Sequence, residues 1–179
     1  MSSFDVTLFL LKEKQDPRSF MIDFNEKLKS INVLLEKDEY EIVVFNDSRN
    51  GEEKEHIYLN ESMNDEQIID LVCSWKGLGL LSYRHPDFSM PLSINYLTWD
   101  DEYLYGFDVG FASSDTIFKE EQHEKLMTKI SEFIDYGYVV GNVENLSGTY
   151  IWLQNLDKVK EFILNNSFKI DSRNWKKIR

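Results

Sequence analysis

Short runs in which every second residue is apolar constrain the fold of this chain more than any other feature. The first run places Phe4, Val6, Leu8 and Leu10 on one side of an extended backbone, as in a β-strand with one buried face. Similar apolar runs, bounded by turn residues, predict further strands at 40–45, 56–59, 78–84, 92–98, 103–111, 138–143 and 149–153. Because several neighbouring runs are separated by only short polar segments, we expect hairpins and a mainly antiparallel sheet.

Four amphipathic helices are predicted between these strands, each with a capping signal at its start. The signals are Asp16-Pro17, Asn64 with Gln67, Ser114 or Asp115, and Asn155. Apolar residues follow the first signal at helical spacing, namely Phe20, Phe24, Leu28, Ile31 and Leu35. Glycines predict the end of the second helix at Gly77 and of the third at Gly137.

The order of these elements predicts an α+β fold. We expect a single-domain sandwich of a mainly antiparallel sheet with about four helices, since helices interrupt hairpins instead of alternating strictly with strands. The order β-α-β-β-α occurs over residues 4–76 and again over 103–166, so a division into two such units is open. The expected domain covers residues 1–171, and residues 172–179 form a basic C-terminal tail.

Charge narrows the range of partners. The chain has 32 Asp and Glu against 20 Lys and Arg, a formal net charge of −12. The tail carries four positive charges and no acid, so removing its +4 from −12 leaves −16 on residues 1–171. Such a field repels nucleic acids and anionic membrane surfaces and attracts cationic partners. We therefore expect a basic protein partner, no nucleic acid and no membrane association.

Composition points to a globular protein of a reducing compartment. Hydrophobic residues make up 42% of the chain, enough apolar surface to offset the entropy of ordering it. The single cysteine, Cys73, cannot form an intramolecular disulfide, and no run approaches the roughly 18 apolar residues of a membrane span. The only alanine, Ala112, stands among many Ile, Asn, Lys, Phe and Tyr residues, a bias typical of AT-rich bacterial genomes. The expected location is the bacterial cytoplasm; the sequence leaves the oligomeric state open.

The segment WDDEYLYGFDVGF, residues 99–111, combines carboxylates with aromatic side chains. An even-numbered loop at Asp100-Asp101 would place the alternating apolar residues of both strands on one face of a hairpin and the acids at its tip. The apolar residues expected on that face are Leu92, Ile94, Tyr96, Thr98, Tyr103, Tyr105, Phe107 and Val109. The candidate binding residues are Trp99, Asp100, Asp101, Glu102, Tyr103 and Asp108.

Asp108 differs from the tip acids because it is predicted to lie on the opposite face, between Gly106 and Gly110. Missing side chains on both sides would leave a shallow notch with a carboxylate at its floor. The notch would admit an Arg or a ligand amine, or it would let another element pack closely, as strand glycines often do.

Catalytic, metal and cofactor motifs are missing from the sequence, so we expect no enzyme, no metal and no cofactor. Glu120 and His123 have the spacing of a metal-ligand pair, but one copy fits better on the charged outer face of the third helix. His85, followed by Pro86 and Asp87, has the composition of a general base and an orienting acid, yet the sequence offers it no activated nucleophile. Cys73 lies in the second helix, where a buried thiol is expected.

Three functions are compatible with these patterns. In size and charge the chain resembles the general type of bacterial immunity protein or antitoxin, which implies a non-enzymatic protein that neutralises a basic, nuclease-type toxin. The order of its elements is similar to that of gyrase-inhibitor-like effector domains, which implies a sensor of cationic small molecules with a pocket at Tyr105 or Phe107 and Asp108. The third function is a hydrolase that uses His85 with Asp87, Asp101 or Asp108. We favour the first because acids around aromatic anchors suit a basic protein surface.

Overall fold

A computed structural model describes residues 4–37, 42–47, 52–53, 57–74, 77–98, 102–141 and 155–175. Its strands are β1 (Phe4–Gln15), β2 (Leu34–Leu35), β3 (Ile42–Asp47), β4 (Glu52–Glu53), β5 (Ile57–Tyr58), β6 (Gly77–Arg84), β7 (Leu92–Thr98), β8 (Leu104–Ala112), β9 (Tyr136–Gly141) and β10 (Ile170–Asp171). Its α-helices are α1 (Pro17–Ser30), α2 (Asp65–Cys73), α3 (Ser113–Phe118), α4 (Glu120–Glu132) and α5 (Leu156–Leu164), and a 3₁₀ turn covers Ser172–Asn174.

The described strands form one sheet in the order β10-β9-β1-β8-β7-β6-β3-β4, with β2 also paired to β6 and β5 to β3. Every described strand pair is antiparallel. The predicted single-domain α+β fold is confirmed. Three strands separate β1 from β3, so the two β-α-β-β-α stretches share one sheet and interleave within it. The expected strand at 149–153 lies outside the described residues.

Buried apolar side chains lie on both faces of the sheet. The larger core lies between one face and helices α1, α2 and α4, and it includes Phe9 and Leu11 of β1. On the other face, Leu8 and Leu10 of the same strand pack with buried residues of α5. The central position of β1 therefore explains why it is apolar on both sides, as expected for a strand without a solvent-facing side.

A cluster of rings fills the middle of the larger core. Phe107 stacks on Phe9 with ring centroids 4.8 Å apart, and its ring centroid lies 4.7 Å from that of Phe24. The ring centroid of Tyr96, on the neighbouring strand β7, lies 6.3 Å from that of Phe107. Stacked and tilted rings at these separations add attraction to the apolar area that they bury.

The predicted starts of α1, α2 and α5 are confirmed by side-chain bonds to backbone amides. Asp16 accepts a hydrogen bond of 3.0 Å from the Ser19 N–H. Asn64 and Gln67 form both bonds of the capping box, at 2.8 and 2.9 Å. Asn155 accepts from the N–H groups of residues 157 and 158. Each cap satisfies amides that have no partner within the helix itself.

The ends of the first two helices differ from the prediction. The first ends at Ser30, because Asn32 takes a left-handed conformation with φ of 62° and turns the chain into β2. Leu35, expected on the helix, pairs instead with Tyr83 of β6. The second ends at Cys73, and Gly77 begins β6 instead of terminating the helix.

The predicted third helix is two helices. The break lies at Lys119, whose φ of −127° and ψ of 37° leave the helical region. The first of the two begins at Ser113, with Ala112 at its N-cap position, so the expected cap at Ser114 or Asp115 is wrong. The second ends at Glu132, before Gly137.

The register of the β7–β8 hairpin agrees with an even-numbered loop. Ile94 lies opposite Val109 and Tyr96 opposite Phe107, and these four side chains share the larger core. The predicted alternation fails nearer the loop, where Leu104 joins that core and Tyr105 packs on the α5 side. The change coincides with a register shift between β1 and β8, where Leu10 pairs with Gly106 but Gln15 pairs with Leu104.

The described part of the basic tail is packed against the domain. The Ser172 hydroxyl accepts a hydrogen bond of 2.9 Å from the Val139 N–H. The Arg173 guanidinium donates to the carbonyls of Ile163 and Asn166 and pairs with Asp171. These contacts fix residues 172–174 against β9 and α5. Within the described ranges, no helix has the length and apolar character needed to cross a bilayer.

Candidate functional site

The tip of the β7–β8 hairpin contains most of the candidate binding residues. Trp99, Asp100 and Asp101 lie outside the described residues, while Glu102 is exposed and Tyr103 is partly buried. The ammonium group of Lys14 lies over the Tyr103 ring, 4.0 Å from its centroid. The side of the tip that faces β1 therefore already holds a cation–π contact within the chain.

Asp108 lies in the middle of the sheet and not at its surface. Asp108 is only 4% exposed, and its carboxylate accepts a hydrogen bond of 3.3 Å from the Asn95 side chain. It lies opposite Leu8 on β1, which places it on the face covered by α5. The structure therefore does not bring Asp108 together with Glu102 and Tyr103 into one exposed surface.

The space on either side of Asp108, where Gly106 and Gly110 have no side chains, is filled by neighbouring atoms. A Cβ atom on Gly106 would lie 2.3 Å from the carbonyl oxygen of Phe9, and one on Gly110 would lie 2.6 Å from the Ser93 hydroxyl. Both distances are shorter than any normal contact. The two glycines therefore permit the close approach of β1 on one side and Ser93 on the other.

His85 belongs to a loop that is held by its own polar contacts. The Nδ1 atom accepts a hydrogen bond of 3.1 Å from the Asp87 N–H, and it lies 3.9 Å from the Asp87 carboxylate. Burial lowers the pKa of His85, although Asp87 and the Ile31 carbonyl act in the opposite direction. With Nδ1 engaged in the loop itself, His85 is better suited to shape this loop than to activate a substrate.

A cavity of about 400 Å³ lies beside this loop. It is lined by Asn32, Leu34, Arg84, His85, Pro86, Phe88, Ser89, Met90 and Pro91. Its basic group, Arg84, forms an ion pair with the buried Glu36. The cavity therefore presents mainly apolar walls with a neutralised charge at one edge.

Asp115, expected only as a helix cap, fastens this loop to α3. One carboxylate oxygen accepts from the Ser89 N–H at 3.1 Å and from the Ser89 hydroxyl at 2.7 Å. The other accepts from the Met90 N–H at 3.1 Å. Burial by itself would raise the pKa of Asp115, but the bonds from Ser89 and Met90 outweigh it and lower the pKa. Met90 and Ser89 lie 25 and 26 residues before Asp115 in the chain, so no local sequence pattern indicates these hydrogen bonds.

We expect Asp115→Asn to lower the free energy of unfolding by about 2 kcal/mol at pH 7, because a charged acceptor of three hydrogen bonds is replaced by a weaker one. Urea denaturation measures this loss. The matched control is Asp157→Asn, an exposed acid in the first turn of α5, where only a helix-dipole effect of about 0.5 kcal/mol is expected. Equal losses in the two variants would contradict a stabilising role of the hydrogen bonds between Asp115 and residues 89 and 90.

His123 points into the core, so its expected place on the outer face of the third helix is wrong. It is 1% exposed, and its ring meets Phe111 edge-on with centroids 4.6 Å apart. Neither ring nitrogen has a hydrogen-bond partner among the described residues. Burial lowers the pKa of His123 to about 4, with Asp5 acting in the opposite direction. The signal available in the sequence was the helical spacing of His123 with Leu126, Met127 and Ile130.

Within the part of the chain that the structure describes, no group of three or more His, Cys, Asp or Glu side chains is arranged to hold a metal ion. Burial raises the pKa of the Cys73 thiol to about 11, which keeps it protonated and unreactive at neutral pH. No family model, curated protein or solved structure matches this chain, so its function has to be inferred from its own residues.

Proposed function

We propose that the protein is a non-enzymatic acidic binding protein that neutralises a cationic protein partner in the bacterial cytoplasm, in the manner of an immunity protein or antitoxin. One observation carries this proposal: of the fourteen Lys and Arg side chains in the described ranges, eight form ion pairs with described carboxylates, while many other described carboxylates remain exposed. The internally paired bases are Arg18, Lys27, Lys29, Lys37, Arg84, Lys125, Lys169 and Arg173. The pairing leaves the surplus of negative charge directed outwards.

The remaining carboxylates are distributed over several elements. Among the described residues, carboxylates that are exposed and have no ion pair include Glu13, Asp16, Glu61, Glu124, Glu132, Asp135, Asp157 and Glu161. Exposed carboxylates of this kind speed the encounter with a positively charged partner and disfavour partners of the wrong charge.

The hairpin tip is the proposed contact surface for this partner. Glu102 is exposed there, and it follows Asp100 and Asp101 directly in the sequence. Trp99 and Tyr103 flank these acids. Aromatic residues beside carboxylates supply rigid contact area next to the charges that bind Arg and Lys.

The two alternative functions, a sensor of cationic small molecules and a hydrolase, have less support from the structure. The sensor requires a pocket at Tyr105 or Phe107 with Asp108, but the Phe107 ring is enclosed by other rings and Asp108 is buried. The hydrolase requires His85 to act with Asp87, Asp101 or Asp108. His85 instead bonds within its loop, and its ring lies beside Phe88 of the larger core, whereas Asp108 faces α5.

The test begins with capture of partners from the protein's own cells at low and high salt, followed by titration of the purified partner. We expect a basic protein that is retained at low salt and released at high salt. A combined variant with Asp100→Asn, Asp101→Asn and Glu102→Gln should weaken its binding by about tenfold. The matched control removes three charges elsewhere, through Glu61→Gln, Glu132→Gln and Glu161→Gln, and should weaken binding much less.

Two results would contradict the proposal. One is a partner that binds equally well at both salt concentrations and to all variants. The other is turnover of a small molecule by the purified protein, abolished in a folded His85→Ala variant. If the three control changes weaken binding as much as the tip changes, the partner recognises overall charge, and the tip is not its contact surface.

A further inference from the structure

The short helix α3 has the reverse of the usual polarity of a surface helix. Its polar residues Asp115 and Thr116 are buried, while Ile117 is 71% exposed and Phe118 is 82% exposed. A surface helix normally turns its apolar side chains towards the core and its polar ones towards water. Two adjacent large apolar side chains left in water are typical of a contact surface for another molecule.

Specific bonds hold α3 in this orientation. The Asp115 carboxylate binds Ser89 and the Met90 N–H, as described above. The Thr116 hydroxyl contacts the Asp5 carboxylate and also lies 3.0 Å from the carbonyl of Ser113. Because the polar side of α3 is bonded to β1 and to the loop before β7, Ile117 and Phe118 are fixed outwards. A contact surface that is rigid before binding loses less entropy when its partner arrives.

Negative charge lies next to these two side chains. Glu120 and Glu121 follow Phe118 after a single lysine, and both belong to the first turn of α4. Glu124 lies one turn further along and is exposed. Lys169 and Lys125 pair with Glu120 and Glu121, respectively, and Glu124 forms no ion pair among the described residues. The apolar pair therefore lies at the start of a helix with four Glu against two Lys, and the exposed Lys119 stands between the pair and this helix.

We infer that Ile117 and Phe118 are the apolar anchor of a second contact surface for the cationic protein partner, separate from the hairpin tip. This inference rests on the proposed function. The two side chains would enter an apolar depression on the partner, while the acids of α4 meet Lys or Arg at its rim. Interfaces commonly concentrate their binding energy in such a central apolar contact surrounded by polar groups.

The charges on this surface favour a basic partner over a second copy of the chain. In a symmetric dimer through α3, the acidic turns of α4 in both copies would come close together. Like charges placed opposite each other oppose association, and each copy carries a net charge of −12. An anionic membrane surface is disfavoured for the same reason.

The test uses two synthetic peptides of equal length and equal positive charge. One combines Lys with Leu so that it forms an amphipathic helix, and the other replaces every Leu by Ser. Their binding is measured by fluorescence anisotropy at low salt for the full chain and for the double variant Ile117→Ser with Phe118→Ser. The matched control is Leu164→Ser, which removes a residue of 62% exposure from the end of α5.

We expect the unchanged protein to bind the Lys/Leu peptide about tenfold more tightly than the Lys/Ser peptide. The double variant should lose this preference and bind both peptides with the affinity of the Lys/Ser peptide, while Leu164→Ser should keep it. Thermal unfolding of each variant verifies that it is folded, and the single change Phe118→Ala provides a milder second variant. That variant should retain only part of the preference.

Three results would overturn the inference, and they are distinguishable. If both peptides bind and the double variant keeps the preference for Lys/Leu, the anchor is wrong and the proposed function stands. If neither peptide binds the unchanged protein at low salt, the proposed function fails as well. If the unchanged protein sediments as a dimer and the double variant as a monomer, a second copy of the chain occupies this surface.

Discussion

Replacing Gly106 by alanine is expected to lower the free energy of unfolding by about 3 kcal/mol, at the upper end of the usual cost of overpacking. The added methyl group would lie 2.3 Å from the Phe9 carbonyl oxygen and 3.2 Å from the Leu10 Cα. These are backbone atoms of the central strand β1, so they cannot move aside by changing a rotamer. Urea denaturation followed by circular dichroism measures the loss.

Gly137→Ala is the matched control, because it adds the same methyl group to a strand that also pairs with β1. The nearest atom to that methyl group would be 3.7 Å away, which is an ordinary contact. We therefore expect a change within about 0.5 kcal/mol, with stabilisation favoured by the less flexible unfolded chain. Equal stability of the two variants would show that the β1 backbone does not approach Gly106 closely. It would favour an open notch beside Asp108.

The second large effect is expected from His123, which should make the stability of the protein fall as the pH decreases. Its pKa is about 4 in the folded protein against an ordinary value of 6.5. Protons therefore bind the unfolded chain first, and the contribution of neutral His123 is lost progressively from about pH 6.5 down to about pH 4. This difference between the pKa of His123 in the folded and the unfolded chain corresponds to about 3 kcal/mol of unfolding free energy.

His123→Phe removes this titration and two buried nitrogens for which the described part of the chain provides no hydrogen-bond partner. The difference in unfolding free energy between this variant and the unchanged protein should therefore increase by about 3 kcal/mol between pH 7 and pH 4. Acids that lose their native bonds at low pH, such as Asp115 and Asp171, affect both proteins alike and cancel in the difference. His85→Gln serves as the control for the other histidine whose pKa is lowered. A difference that does not change with pH would mean that His123 is solvated or bonded in solution.

Features set by neighbouring residues could be predicted from the sequence. The caps at Asp16, Asn64 and Asn155 depend on bonds that span two or three residues, and each forms as expected. The pairing of Ile94 with Val109 follows from alternation and from the short distance between two strands. These local rules determine the elements and the fold class, but not the position of each strand in the sheet.

Features that depend on distant contacts could not be predicted. The capping pattern at Asp115 gave no indication that its carboxylate would bind Ser89 and Met90 and so reverse the polarity of α3. Because the polar side of α3 is bonded inwards, Ile117 and Phe118 point outwards, which is the reverse of the usual arrangement of apolar helix residues. The two glycines beside Asp108 left two interpretations open, a notch for a cation or the close approach of another element, and the contacts with β1 and Ser93 show a close approach that no local pattern could assign to a partner.

The central place of β1 also has a consequence for the protein during its synthesis. Phe4 pairs with Ala112 and Leu11 with Tyr136, so this strand leaves the ribosome long before either of its neighbours. Both edges of this apolar strand are unpaired until β8 has been made, and the edge that pairs with β9 stays unpaired until Gly141 has been made. Contacts so distant along the chain slow folding, and exposed strand edges invite aggregation. The newly made chain is therefore expected to be most prone to aggregation before β8 and β9 have been made.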